Sequence, residues 1–347
     1  MIQIKAELLN ELNDTLPGLK CAMQKAIELE HATMPPYLYA MYSIKADANR
    51  EIVGLIRSVV FEEMLHMALD CNILNAIGGE PVIDKPTFIP KYPGPLPGSV
   101  EDSLIVPLAP FSKQLVYDVF MVIEEPEDPL HFPVKAAFAA EAPPITIGQF
   151  YAKIKDQIHK LSQEGNIFTG DPKKQLTTGF PPLQKIHVHD ADSAIAAIDL
   201  IVDQGEGTKT SPLDPEHELA HYYRYAEIYY GKTLIPNPSP KPGEPDWAYA
   251  GHPIAFDPCG VWPVVTNPAS SMYPPGSRLA SLNNTFNYTY TALLKSLHLV
   301  FNGQPDRLGP AIGLMESLKE QALVLMSSEV VPGQTAGPTF TYQPVLT

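Results

Sequence analysis

The sequence predicts an all-α protein built on a four-helix bundle with a metal site facing its interior. Two observations carry that expectation. The tetrapeptides Glu63-Met64-Leu65-His66 and Glu218-Leu219-Ala220-His221, more than 150 residues apart, share the pattern Glu-x-x-His inside amphipathic stretches. Residues three apart lie on one face of a helix, so each motif offers a carboxylate beside an imidazole. Two further amphipathic segments each carry an acid on an otherwise apolar stripe. Bundles that hold paired iron or manganese use two such motifs and one Glu from each of two other helices.

The first helix shows Leu19, Met23, Ile27, Glu30, Met34, Tyr37, Met41 and Ile44 at alternating spacings of three and four, with Glu30 the acid of that stripe and Glu28 off it. Pro35 and Pro36 fall inside it, where a proline costs about 3 kcal/mol or more. Two readings follow. A kink would open the bundle beside Glu30, so that Tyr37 or Tyr39 lines a substrate passage and Tyr37 is the candidate catalytic, pocket-lining side chain. Alternatively two helices abut, and the tyrosines are ordinary core.

The short connection from Ala46 to Arg50 makes the second helix an antiparallel neighbour. Its stripe is Ile52, Ile56, Val59, Glu63, His66, Asp70, Ile73 and Ile77, and three ionisable groups on such a face need a cation or a partner. Gly78-Gly79-Glu80-Pro81 ends the helix. The proline-rich stretch 80–110 then serves as a long crossover. A third helix starts near Phe111, with Val116, Tyr117, Phe120, Met121 and Glu124 on its stripe, and stops before Pro126. Capping residues and Pro215 in Ser211-Pro212-Leu213-Asp214-Pro215 place the start of the fourth helix near Pro215, with Glu218 and His221 in its first turns.

The candidate metal ligands are therefore Glu30, Glu63, His66, Glu124, Glu218 and His221. Asp70, Gln149 and Glu28 are the substitutes for Glu124. His31, His217 and Asp70 lie near the ligands in sequence and are candidates to orient them, with a plain structural role the simpler reading of each.

Residues 146–164 and 190–203 read as two helices inserted between the third and fourth bundle members, followed by a tight turn at Gln204-Gly205-Glu206-Gly207. Residues 232–276, crowded with proline and aromatics, read as an ordered wrapping loop. Residues 278–302 and 306–328 read as a helical hairpin, and the tail after Pro332 as extended. The chain thus divides into 1–231, the bundle, and 232–347, the loop and hairpin packed on it. The 37 prolines mark long excursions, which suit a covered substrate pocket better than a storage cage.

Several blocks together carry a family likeness: Glu28-Leu29-Glu30-His31-Ala32-Thr33-Met34-Pro35-Pro36-Tyr37-Leu38, Glu62-Glu63-Met64-Leu65-His66, Phe120-Met121-Val122-Ile123-Glu124, Gln204-Gly205-Glu206-Gly207 and Glu218-Leu219-Ala220-His221-Tyr222-Tyr223. Over about residues 15–230 the chain resembles the ferritin-like module of iminophenyl-pyruvate dimer synthases. That family contains large enzymes of violacein and rebeccamycin-type pigment pathways, which couple two imines derived from an aromatic 2-oxo acid, and shorter stand-alone proteins, the kind this chain resembles. The resemblance implies a ferritin-like bundle and an aromatic amino-acid-derived imine as substrate.

The net charge of −15 and a pI near 5.0 disfavour nucleic acid and anionic membranes as partners. No stretch has signal-peptide character or membrane-spanning length, so a cytoplasmic location is expected. Three widely spaced cysteines do not make a disulfide framework. The expected function is a dinuclear iron or manganese oxidoreductase acting with dioxygen or peroxide on a small molecule; homo-oligomer formation is left open. The competing classes are an iron-binding or peroxide-detoxifying protein without organic substrate, and a structural bundle without metal.

Overall fold

The computed structural model describes residues 14–97, 104–126, 147–184, 186–207, 211–237, 240 and 246–343. Helix α1 (Leu16–Tyr42) starts from a Thr15 cap that accepts from the Gly18 N–H. It packs antiparallel on α2 (Arg50–Ala76), which ends at Gly78 in the left-handed conformation the sequence signalled. Helix α3 is composite: an α turn Lys113–Leu115, a π segment Val116–Phe120 and an α turn Met121–Ile123. The remaining helices are α4 (Ile147–Glu164), α5 (Ala191–Glu206), α6 (His221–Tyr230), α7 (Arg278–Phe301) and α8 (Leu308–Met326).

The two helices expected as insertions complete the bundle. The Phe111 N–H donates to Ser43 Oγ, which sets the entry to α3 beside the C-terminal end of α1. Gln157 of α4 reaches the carbonyl of Thr15, at the opposite end of α1. Between these points Tyr37 of α1 packs on Phe120 of α3, and Glu30 accepts from Tyr151 of α4. One bundle column is therefore α3 followed by α4, running parallel to α2. The other is α5 followed by α6: His66 of α2 meets Gln204 near the end of α5, and Glu62 and Ser58 meet His221 and Arg224 of α6. The direction of the columns is up, down, down, up, with residues 77–112 as the crossover. Both composite columns are interrupted at the middle of the bundle.

Beyond the bundle, residues 232–276 are not purely loop. Strands β1 (Lys232–Pro236) and β2 (Trp247–Pro253) pair antiparallel, with Leu234 opposite Tyr249. The segment then returns to the α1–α2 connection, where the Trp262 N–H donates to the Ser43 carbonyl and the Lys45 ammonium stands 4.8 Å from the Trp262 ring. Helices α7 and α8 form the expected hairpin and pack against α1 and α2. A small ribbon of β3 (Glu329–Val331) and β4 (Gln334–Thr335) follows. The extended tail after it is pinned to α7 by Asn283 and Asn287, which bond Thr339 and Thr341. Gly337 lies against the Tyr39 phenol so closely that an added Cβ would fall 2.0 Å from its oxygen. Among the described residues no helix is long and apolar enough to cross a membrane, and none of Cys21, Cys71 and Cys259 is in a disulfide.

The double proline breaks neither the helix nor the bundle. Helix α1 runs continuously through Pro35 and Pro36. A proline at position 36 removes the N–H that would serve the carbonyl of Ala32. In its place the Tyr92 hydroxyl, delivered by the crossover, donates to that carbonyl at 2.6 Å. Tyr92→Phe is therefore expected to lower stability by about 1–2 kcal/mol, the cost of leaving a buried acceptor unpaired. In a double-mutant cycle followed by chemical denaturation, Pro36→Ala, which restores an N–H donor, should remove most of that loss. Additive effects would show that Tyr92 does not serve the proline gap.

Candidate metal centre

Five of the six sequence-predicted ligands converge where the two composite columns are interrupted. Glu30, Glu63 and His66 form one group and Glu63, Glu124 and His221 a second, the ligand atoms of each lying within 4.8 Å of one another. Glu63 belongs to both. All five side chains are buried, none more than 9% exposed. Long helices set three of them: the 3–4 spacing of α1 and α2 puts Glu30 opposite Glu63 and His66. The other two come from helix ends, Glu124 at the end of α3 and His221 at the first residue of α6. The π segment precedes Glu124, and its Met121 N–H donates to the Val116 carbonyl, five residues back. That widened turn gives this short helix one residue more than α-geometry would before Glu124.

Each carboxylate spends one oxygen on a neutral hydroxyl and turns the other to a histidine. Tyr151 donates to Glu30 Oε1 at 2.6 Å, Thr33 to Glu63 Oε2 at 3.2 Å and Tyr37 to Glu124 Oε1 at 2.5 Å. Opposite them, His66 Nδ1 stands 3.6 Å from Glu30 Oε2, and His221 Nδ1 stands 3.0 Å from Glu63 Oε1 and 3.3 Å from Glu124 Oε2. The two imidazoles stack with centroids 5.4 Å apart. Their far nitrogens are also engaged: His66 Nε2 lies 3.0 Å from Gln204 Oε1, and His221 Nε2 lies 3.0 Å from Glu62 Oε2. An acceptor on Nε2 holds a proton there, so Nδ1, the nitrogen that faces the carboxylates, is the one a metal would take in place of a proton. Glu62 is in turn held by Arg224, whose Nη1 donates to Glu62 Oε1 at 2.9 Å.

The electrostatics of this group call for cations. Burial, reinforced by the charges of Glu124 and Glu30, pushes the Glu63 carboxyl well above the usual carboxylate range despite the opposing His221. Burial depresses His221, but Glu124, Glu62 and Glu63 outweigh it and carry the ring well above its ordinary value. Arg224, the cation nearest in this network, pairs with Glu62 and Glu218, and no Lys or Arg bonds Glu30, Glu63 or Glu124 among the described residues. Three buried carboxylates without a fixed cation would each cost several kcal/mol, so oxygen donors with two imidazoles in this arrangement suit a hard or borderline divalent metal. A cavity of about 40 Å³ lies among the five candidate ligands and Tyr151, enough for ions and water-sized ligands. Its walls are completed by Ile123, Ile147 and Ile201, and by Glu125, Gly205 and Glu206 at the column breaks.

Glu218 does not join. The segment before α6 is not helical: Leu213 bridges Leu219, Asp214 Oδ1 accepts the N–H groups of Glu216 and Glu218, and His217 has φ +66°. Outside a helix, three-residue spacing no longer aligns side chains, and Glu218 turns outward, 63% exposed, toward Arg224. Glu62, one residue before the predicted ligand of α2, occupies the far side of His221 instead. Among the described residues Tyr37 borders neither this cavity nor a passage to it; it packs against Phe120 and Tyr225 and its hydroxyl donates to Glu124. Tyr39 is directed elsewhere, donating to the Val265 carbonyl.

Of the candidate orienting residues, His31 bonds the Tyr290 hydroxyl on another face of α1, and His217 lies in the turn preceding α6. Asp70 does belong, because Tyr151 bridges it to Glu30, with its hydroxyl 2.8 Å from Asp70 Oδ2. Glu28 pairs with Lys25 and Gln149 is exposed, so neither substitutes for Glu124. The residues that sequence reasoning missed are Thr33, Glu62, Tyr151 and Gln204. Gln204 was accessible: Ala194, Ala197, Ile198 and Ile201 are the buried stripe of α5, and Gln204 is its next step.

Comparisons with known proteins agree with this architecture. The chain is 24% identical to dichlorochromopyrrolate synthase of Lentzea aerocolonigenes over 94% of its own length and 36% of that protein. It is 28% identical to 2-imino-3-(indol-3-yl)propanoate dimerase of Chromobacterium violaceum over 60% of its own length and 23% of that protein. It therefore spans about a third or less of the curated relatives it matches. The crystal structure of a ferritin-like protein from Caulobacter vibrioides superposes with a TM-score of 0.60 at 26% identity, covering 95% of this chain and 99% of the other. A ferritin-like family model matches residues 23–230, from within α1 to the end of α6, and the chain belongs to the ferritin-like family.

Proposed function

We propose that the protein is a dinuclear iron or manganese oxidoreductase that uses dioxygen or peroxide on a small aromatic amino-acid-derived imine. The observation that carries this reading is the pair of Glu/Glu/His groups sharing Glu63. One metal would be held by Glu30 and His66, the other by Glu124 and His221, with Glu63 common to both. When bound, such metals supply Lewis acidity and accessible redox states for activating the oxidant. The relatives support the substrate class: one is named as a synthase of dichlorochromopyrrolate, the other as a dimerase of an indolyl imine.

The chain's own residues prepare the site. Thr33, Tyr37 and Tyr151 hold the carboxylate orientations with neutral donors, so these contacts add no charge to the cluster. Ile123, Ile147 and Ile201 limit water. Burial, with the charge of Glu30 adding to it, pushes Asp70 well above the carboxylate range, so Asp70 carries a proton and shares it with the Tyr151 hydroxyl. That proton sits two hydrogen bonds from Glu30, where a reaction consuming protons could draw on it. The cavity at the ligands is too small for an aromatic ring, so an imine would approach at its rim near Glu125 and Glu206.

Metal analysis of protein produced with iron or manganese supplementation should find about two metals per chain, as paired-metal bundles of this ligand pattern hold. Glu63→Ala should lose both, whereas Glu218→Ala should retain them. Oxygen consumption that depends on an added aromatic imine would support the enzyme. Consumption with iron(II) alone would favour an iron-binding or detoxifying protein, and a metal-free wild type would defeat both.

The contacts behind the histidines generate a second expectation. Gln204→Leu removes the acceptor on His66 Nε2 without touching a ligand, and should weaken metal retention roughly 10–100-fold in chelator competition. Gln204→Glu, which keeps an acceptor, should retain most of the affinity. Equal loss in both variants would indicate a packing defect.

A further inference from the structure

A second cavity lies on the flank of the α1–α2 pair, between it and the α7–α8 hairpin. Its volume is about 480 Å³, far larger than the space at the metal ligands, and its lining is almost entirely carbon. Five of the chain's ten methionines, Met34, Met41, Met64, Met67 and Met315, line it. Methionine is flexible and polarizable, and surfaces rich in it adapt to apolar ligands of variable shape. The chamber runs along α1 from His31 to Tyr42, about 16 Å at the rise of an α-helix. A long, narrow, apolar space of this kind suits an extended chain better than a compact ring system.

At one end the chamber meets a wider vestibule of about 620 Å³, formed by the α1–α2 connection and the later turns of α8. Met41, Tyr42, Arg57, Met315 and Glu316 line both spaces and so mark the junction. The other cations of the vestibule on the α1–α2 side are occupied: Lys45 bonds the Cys259 carbonyl and Arg50 pairs with Asp47. Arg57 makes no hydrogen bond or ion pair among the described residues, although Glu316 stands on the same rim. A free guanidinium at the mouth of an apolar chamber, in a chain of net charge −15, is placed to receive an anionic head group.

We propose that this groove binds a fatty acid, its acyl chain lying along α1 in the methionine-lined chamber and its carboxylate held by Arg57. The site is separate from the metal centre, although both are built on α1 and α2.

Full-length protein would be titrated with cis-parinarate, whose fluorescence rises in apolar surroundings, and the probe displaced with dodecanoate or its methyl ester. Saturable uptake of one probe per chain is expected, with the ester displacing it roughly fivefold less well than the acid, the scale of a partly exposed ion pair. Arg57→Gln should bring acid and ester close to equality. Met315→Trp, which fills the chamber from the α8 side, should abolish uptake while leaving circular dichroism and metal content unchanged. Should that variant not fold, Ile312→Asp places a charge at the chamber wall on a residue already 44% exposed, and should weaken uptake as well. Absence of saturable uptake, equal competition by acid and ester in the wild type, or unchanged uptake in both chamber variants would overturn the proposal.

Discussion

Three carboxylates buried against two imidazoles at the centre of the bundle are the constraint on which the rest of the structure depends. A cluster of this charge cannot be paid for by packing alone. The protein offsets it with neutral hydroxyl donors on one oxygen of each acid and a second row of acceptors behind each histidine. Arginine is admitted to that second row, against Glu62, and kept off the three inner acids. The excess negative charge is thus left where a cation can enter, and the acceptors behind the histidines already hold their Nε2 atoms, leaving Nδ1 for the metal.

The interrupted columns follow from the same need. An unbroken helix presents a ligand only at intervals set by its turn, whereas a helix end can deliver a side chain at one chosen height. Glu124 closes α3, Gln204 lies in the last turn of α5, and His221 opens α6. Two helix C-termini, of α3 and α5, and two N-termini, of α4 and α6, therefore meet around the site. Their partial charges oppose one another, so the helix dipoles leave the carboxylate excess largely in place.

The parts of this centre carried by long helices were legible in the sequence, and the parts carried by chain breaks were not. Glu30, Glu63 and His66 could be read because spacings of three and four over 27-residue helices constrain the inner face repeatedly. Glu124 and His221 were found through their neighbours, the proline that stops α3 and the motif that includes His221. Glu218 was misplaced because the motif presumes helix on both sides of it. Pro212, Pro215 and the side-chain bonds of Asp214 build a local turn there that no periodicity reveals. The α4 and α5 helices were visible as elements, but their place as the second halves of two columns rests on contacts distant in sequence.

Helix α1 has to serve three surfaces at once, and this explains why it tolerates a costly double proline. Its inner face supplies Glu30, Thr33 and Tyr37 to the carboxylate cluster. Its flank supplies Met34, Pro35, Leu38 and Met41 to the apolar chamber under the hairpin. Its backbone at Ala32 is bound by the crossover through Tyr92. Pro35 fills part of the chamber wall with ring carbon. The missing donor for Ala32 is then supplied from outside the helix. That single contact ties the crossover, which sets the order of the columns, to the helix that carries the first ligand.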